Sequence, residues 1–114
     1  MRNDGEYELW WADMPQPVGR RPVLLLSRDA AYEYLDRFIV VEVTSTIRDI
    51  PVEVSLGREE GLGRRSVANF DNVHVVPRKR LVSRIGSLRP ARIVEVKRAL
   101  GYALAWTELK HVEA

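Results

Sequence analysis

Cysteine is absent from the chain, which rules out disulfides and thiolate metal sites and gives an oxidising compartment no support. Imidazole is nearly absent too. His74 and His111 are the only histidines and lie far apart, so the spacing of a metal centre is missing and no metal or cofactor is expected. Apolar runs are only a few residues long, against the roughly 20 needed to cross a bilayer, and Met1-Arg2-Asn3-Asp4-Gly5-Glu6 has no apolar leader core. A cytosolic protein with no membrane partner is the expectation. Walker loops, nucleophile elbows and Rossmann glycine runs are also missing, as are internal repeats and low-complexity segments.

Lysine is scarce, occurring only at Lys79, Lys97 and Lys110, so arginine makes up most of the 18 basic residues. Arginine suits planar bidentate contact with phosphate and stacking on bases. The net charge of +2 is too small to mark a nucleic-acid binder by itself. At 114 residues, 46% hydrophobic and 30% charged, the chain has the size and composition of one soluble domain, taken as residues 1–114.

Period-two alternation predicts a first strand over Glu8–Asp13, with Tyr7, Leu9 and Trp11 on one face and Glu8, Trp10 and Ala12 on the other. Two prolines and a glycine make Met14–Gly19 a loop, closed by Arg20 and Arg21. Val23–Leu26 is apolar at every position, which suits a strand covered on both faces. Asp29–Asp36 suits a short helix with Ser27 as a candidate N-cap. Phe38–Thr44 is the next strand, with Thr44 leaving the sheet on the same side as Glu42.

Val52–Leu56 alternates and is read as a strand, Gly57–Arg65 as an exposed loop, and Ser66–Val76 as a strand with Asn69 and Asp71 pointing together and His74 opposite. Arg78-Lys79-Arg80 is a basic turn and Arg84–Leu88 a brief strand. From Pro90, Ile93, Val96, Leu100, Ala103, Leu104 and Thr107 trace the stripe of one long amphipathic helix, with Gly101 allowing close packing. The expected fold is mainly β, a small barrel of about five to seven short strands with a C-terminal helix.

The candidate site lies where polar groups end the two most apolar strands. If Val23–Leu26 and Phe38–Thr44 are neighbours, Arg21 and Thr44 meet at one rim and form a site for an anion. Each has a plain structural alternative: the arginines edge a solvated strand, and Thr44-Ser45-Thr46 forms a turn whose hydroxyls bond the backbone.

Five blocks in this order resemble the MazF/PemK family of toxin endoribonucleases: Glu8–Pro15, Gly19–Asp29, Val43–Arg48, Ser66–Val73 and Ile85–Leu88. The resemblance implies an SH3-like barrel with a C-terminal helix, working as a homodimer. It further implies metal-free cleavage of single-stranded RNA, commonly mRNA, and neutralisation by a cognate antitoxin. It puts catalysis on Arg21 and Thr44 and substrate contact on Ser45, and it finds Asp71 retained; Arg20, Thr46, Asn69 and Asp71 are read beside Ser45 as substrate-binding residues.

The chain departs from the family in two places. The loop at Met14–Gly19 is short and offers only Gln16 where relatives place Glu, Gln or His, and Asn69 stands where some relatives carry a second arginine. Two other functions compete. One is a CcdB-like gyrase poison of the same fold, although Trp106–His111 does not resemble the Trp-Gly-Ile ending of that group. The other is a small-barrel RNA-binding module without chemistry.

Overall fold

The computed structural model describes residues 5–113; the leaderless reading of Met1 to Asp4 falls outside them. Among the described residues six strands form one antiparallel sheet in the order β4-β5-β3-β2-β1-β6. They are β1 (Glu8–Met14), β2 (Gly19–Leu25), β3 (Arg37–Thr44), β4 (Glu53–Leu56), β5 (Ser66–Pro77) and β6 (Leu81–Ser87). Among the described residues three α-helices accompany them: α1 (Ala31–Tyr34), α2 (Ile93–Ala103) and α3 (Thr107–Lys110). The sheet curls into the expected barrel-like form, with a 3-10 turn at Arg58–Glu60 bridging from edge strand β4 towards edge strand β6.

That closure depends on two glycines. A Cβ on Gly86 would lie 2.0 Å from the Glu60 carbonyl oxygen, and one on Gly61 would lie 2.5 Å from that of Ile85. Backbone meets backbone here, which leaves no room for a side chain.

Both faces of the sheet are covered, as the unbroken apolar run in β2 requires. Leu24 joins Leu9, Val41, Val43 and Phe70 in a cluster with Val96 and Ala99 of α2, while Val23 and Leu25 join Phe38 and Val40 in a second cluster with Tyr32 of α1. Strand β1 serves both clusters, Leu9 on one side and Ala12 and Met14 on the other. Tyr7 and Leu9 thus face one cluster and Trp10 and Ala12 the other, as the alternation read from sequence predicts, while the bulges opposite Leu9/Trp10 and Trp11/Ala12 place their extra residues on β6.

Several local expectations are corrected. Ser27 does not cap α1: its hydroxyl accepts the N–H of Ile39 at 2.8 Å, fastening the chain to β3, and Ala30 is the N-cap. The long C-terminal helix is two helices. After Ala103 the chain passes through Ala105 at φ 53°, and the N–H groups of Ala105 and Trp106 bond the carbonyls of Tyr102 and Gly101, closing α2 with a Schellman motif. The stripe therefore stops being a buried face, and Leu104 is exposed. Gly101 does allow close packing, since a Cβ there would lie 2.5 Å from the Lys110 nitrogen in α3.

The basic turn is not merely a wet surface. Arg78 stacks on Phe38 and donates to the Tyr32 carbonyl, and Arg80 donates to that of Asp13 at 3.0 Å. Among the described residues no helix is long and apolar enough to cross a membrane.

Candidate active site

The β2–β3 ladder pairs only Val23↔Glu42, Leu24↔Val41 and Leu25↔Val40. Pro22, next in line, has no N–H to give a ladder bond, so the pairing ends there. Continuing the register beyond the last pair sets Arg21 opposite Thr44. The rim predicted from sequence thus exists, and it lies where the two strands part.

Two depressions open at this gap. The larger, about 400 Å³, lies between Trp11 and Pro22 on one side and Leu62, Gly63 and Arg64 on the other, with Arg20 and Ser45 in its wall. The smaller, about 190 Å³, is lined by Glu42, Thr46, Arg48, Asn69 and Asn72. Arg21 and Thr44 line both, and so form the wall between them.

Glu42 organises the charge at that wall. It is 8% exposed, a lone carboxylate in the apolar strand Phe38-Ile39-Val40-Val41-Glu42-Val43. Because Val23 pairs with Glu42, Arg21 is its diagonal neighbour on β2; because His74 pairs with Val40, His74 is its diagonal neighbour on β5. One carboxylate oxygen accepts Arg21 Nη1 at 3.3 Å, and the other lies 2.5 Å from His74 Nε2. Arg21, Glu42 and His74 therefore form a row across three strands. A buried carboxylate needs such compensation, and Arg21, with five N–H donors, has several left for a ligand.

Thr44 forms the expected turn, its hydroxyl oxygen accepting the N–H of Thr46 at 3.1 Å. That bond fixes the oxygen and leaves the hydroxyl hydrogen for an acceptor in the gap. Arg20 pairs with Asp13 across β1 and β2 at 2.9 Å, and this hydrogen bond holds its guanidinium in the charged form above its ordinary pKa. The Arg20 side chain is exposed.

Asn69 and Asp71 do not point together. Between Val43↔Ala68 and Val41↔Val73, β5 carries an extended bulge opposite β3, which breaks the alternation. Asn69 is buried, and its side-chain oxygen accepts the Asp71 N–H at 2.9 Å; Asp71 is exposed and lines neither depression. Asn72 takes the place expected of Asp71. The loop read as exposed at Gly57–Arg65 is largely built structure, with Glu60 and Leu62 buried and Gly61 to Arg64 facing the larger depression.

Sequence reasoning missed Arg48, Arg64 and Asn72, for which no pattern signals a site, and Glu42 and His74, which the register joins. Only Glu42 carried a signal, as the one charge inside an apolar strand. His74 sits one contact away from Arg21, through Glu42. His111 is exposed just after α3. Among the described residues no three His, Asp or Glu side chains gather as a metal-binding group.

The geometry invites comparison with known proteins. A family profile described as PemK-like, MazF-like toxin of type II toxin–antitoxin system matches residues 6–104. A Mycobacterium tuberculosis (strain ATCC 25618 / H37Rv) protein named Probable endoribonuclease MazF5 is 42% identical over 98 residues, covering 85% of this chain and 89% of the relative. Among solved structures, the Mycobacterium tuberculosis toxin MazF-mt6 matches with a TM-score of 0.81 at 28% identity, covering 86% of this chain and 96% of that one. An endoribonuclease in complex with its cognate antitoxin from mycobacterial species matches at 0.78 and 25%, covering 90% and 96%.

Proposed function

The chain belongs to the PemK-like, MazF-like toxin family of type II toxin–antitoxin systems, an endoribonuclease family, and from that premise we propose that Arg21 and Thr44 cleave single-stranded RNA held across the two depressions. The observation that carries this reading is the shared wall: both residues line both depressions, so a phosphate held between them has room for a nucleotide on either side.

In the proposed reaction the ribose 2′-OH attacks the adjacent phosphorus and leaves a 2′,3′-cyclic phosphate and a 5′-OH. The nucleophile belongs to the substrate, so no water has to be activated and no metal or cofactor is required for that step. Negative charge collects on the phosphoryl oxygens in the transition state. Arg21 meets it with paired N–H donors, and Thr44 adds its hydroxyl hydrogen. Arg21 stays charged throughout and acts electrostatically. Arg20, Ser45, Thr46 and Asn69 serve substrate binding, together with Arg48, Arg64 and Asn72.

The chain acts as one cytoplasmic domain within a homodimer, and a cognate antitoxin neutralises it. Exposed Ile39, Val73 and Val75 on β3 and β5, and Leu104 and Trp106 beyond α2, supply apolar surface for such contacts. Sedimentation at micromolar concentration tests the dimer, and a monomer there counts against it.

The decisive experiment incubates purified protein with cellular RNA in EDTA and maps the ends produced. Cyclic-phosphate and 5′-OH ends from the wild type, with Arg21→Ala and Thr44→Val folded but inactive, are the expected result. Undiminished cleavage by both variants removes the site. Gyrase-dependent DNA breakage with RNA intact selects the gyrase-poison reading instead.

A further inference from the structure

Cleavage by a 2′-OH requires something to take its proton, and neither residue given a part in the reaction above does so. Arg21 has no lone pair to offer. Thr44 already uses its oxygen to accept the Thr46 N–H, and an alcohol is a poor proton acceptor near neutral pH. Asp71 is turned out by the β5 bulge. One carboxylate does line the smaller depression, and it is Glu42.

Building on the reading of Arg21 and Thr44 as an RNA-cleaving site, we propose that Glu42 accepts the 2′-OH proton and that His74 is a positioning residue which holds the Glu42 carboxylate in place. Glu42 precedes Thr44 by two residues on the same face of β3 and shares the smaller depression with Arg21 and Thr44. Its oxygens are engaged once each, by Arg21 at 3.3 Å and His74 at 2.5 Å, and a carboxylate has about four acceptor positions. Capacity to take a proton from a ribose in the depression therefore remains.

The two contacts differ in kind. The Arg21 bond is long, and Arg21 has a second task when phosphate arrives; as the phosphate takes over its charge, its hold on Glu42 loosens. The His74 bond is short and lies outside both depressions, so it keeps the carboxylate oriented while Arg21 turns to the substrate. The charged and titratable groups facing Glu42 are Arg21 from β2, His74 from β5 and Arg48 from the segment after β3.

The step balances simply. The O2′–H bond breaks with its proton passing to Glu42, the O2′–P bond forms, the P–O5′ bond breaks, and the departing 5′-oxygen takes a proton from water. Glu42 then returns its proton to solvent.

The test is single-turnover cleavage of an RNA that the wild type cuts, beside binding of the same RNA with a 2′-deoxy nucleotide at the cleavage point. Glu42→Gln is expected to cut on the order of 10²-fold more slowly with affinity retained, and to lose the acidic limb of the pH–rate profile. Added formate or acetate should restore part of the rate to Glu42→Ala. His74→Ala should lose rate and not affinity, with recovery in His74→Gln, whose amide can still donate to the carboxylate.

Wild-type rate in Glu42→Gln, or a loss of rate matched by an equal loss of affinity and not restored by carboxylates, overturns the proposal and leaves Glu42 as a strand-joining ion pair. If Glu42→Gln does not fold, the His74 variants decide: loss and recovery support the assignment, and wild-type rate in both overturns it. A wild-type protein that cuts no RNA overturns the underlying reading, an outcome distinct from any variant result.

Discussion

Arg21 illustrates how one residue is made specific by what surrounds it. Its side chain is about one-third exposed, one nitrogen is occupied by Glu42, and the remaining donors form a fork at the gap between β2 and β3. Lysine at this position would keep the charge but present a point donor on a flexible stem. Arg21→Lys is therefore expected to bind RNA nearly as well as the wild type and to cleave it about 10²- to 10³-fold more slowly, the range typical of losing an oriented donor to a developing oxyanion. Equal cleavage by the lysine variant would show that charge alone suffices. That Arg21 and Thr44 lie together at the gap was legible in the sequence because each adjoins the end of an apolar run, although β2 itself extends back to Gly19. The placements of Glu42, His74 and Asp71 were not legible. Which of them meet depends on cross-strand register and on the β5 bulge, and a single strand's alternation carries neither.

At the scale of elements, the strands were readable and the interruptions were not. Six strands follow the alternating or unbroken apolar runs, whereas the end of α2 comes from Ala105, a residue whose chemistry announces no break. Ala at φ 53° bears a steric penalty that glycine escapes, and left-handed backbone costs an L-residue on the order of 1–2 kcal/mol. Ala105→Gly is expected to stabilise the protein by about 1 kcal/mol, less than the full penalty because glycine also loosens the unfolded chain, and to raise the melting temperature by about 4 °C. An unchanged or lower melting temperature would refute the strain. The start of α2 provides a pH-dependent counterpart. Arg92 bonds both oxygens of Glu95 at 2.8 Å, reaches buried Glu60 at 3.1 Å and donates to the Ser55 carbonyl, so it ties α2 to β4 and the turn after it. The Arg92 hydrogen bonds hold the Glu95 carboxyl below its ordinary value of 4.5, against the opposing effect of burial. A depressed carboxyl contributes stability that is present above the unfolded value and is lost as pH falls through the folded one. Denaturant titrations of Glu95→Gln should accordingly show a shallower loss of stability below about pH 4.5 than the wild type; parallel curves would remove Glu95 from the acid response.

For the whole molecule, the distribution of charge matters more than its sum. The net charge is only +2, yet Arg20, Arg21, Arg48 and Arg64 all line the two depressions, where Glu42 is the one carboxylate. Composition gave the preference for arginine without its location. The location follows from where Pro22 ends the β2–β3 ladder and where Gly61 and Gly86 let the turn after β4 lie against β6. Arg20 is committed to Asp13 at the surface, and among the described residues Arg48 and Arg64 have no ion-pair partner. Arg48 and Arg64, together with Arg21, whose contact to Glu42 is the longer one at 3.3 Å and whose other donors face the gap, are thus the groups positioned to neutralise phosphates. Each phosphate neutralised on a single strand contributes about −0.7 to the slope of log affinity against log salt, so three predict a slope of roughly −2. Between 50 and 200 mM salt, affinity for a 2′-deoxy-blocked RNA should fall on the order of tenfold. Arg48→Gln and Arg64→Gln should each reduce the slope by about 0.7, while Arg20→Gln should change it less because Asp13 already balances that charge. Fluorescence anisotropy across a salt series measures all four slopes. A wild-type slope near zero would place the RNA elsewhere on the molecule, and an Arg20→Gln effect as large as the others would mean that Arg20 leaves Asp13 to bind phosphate.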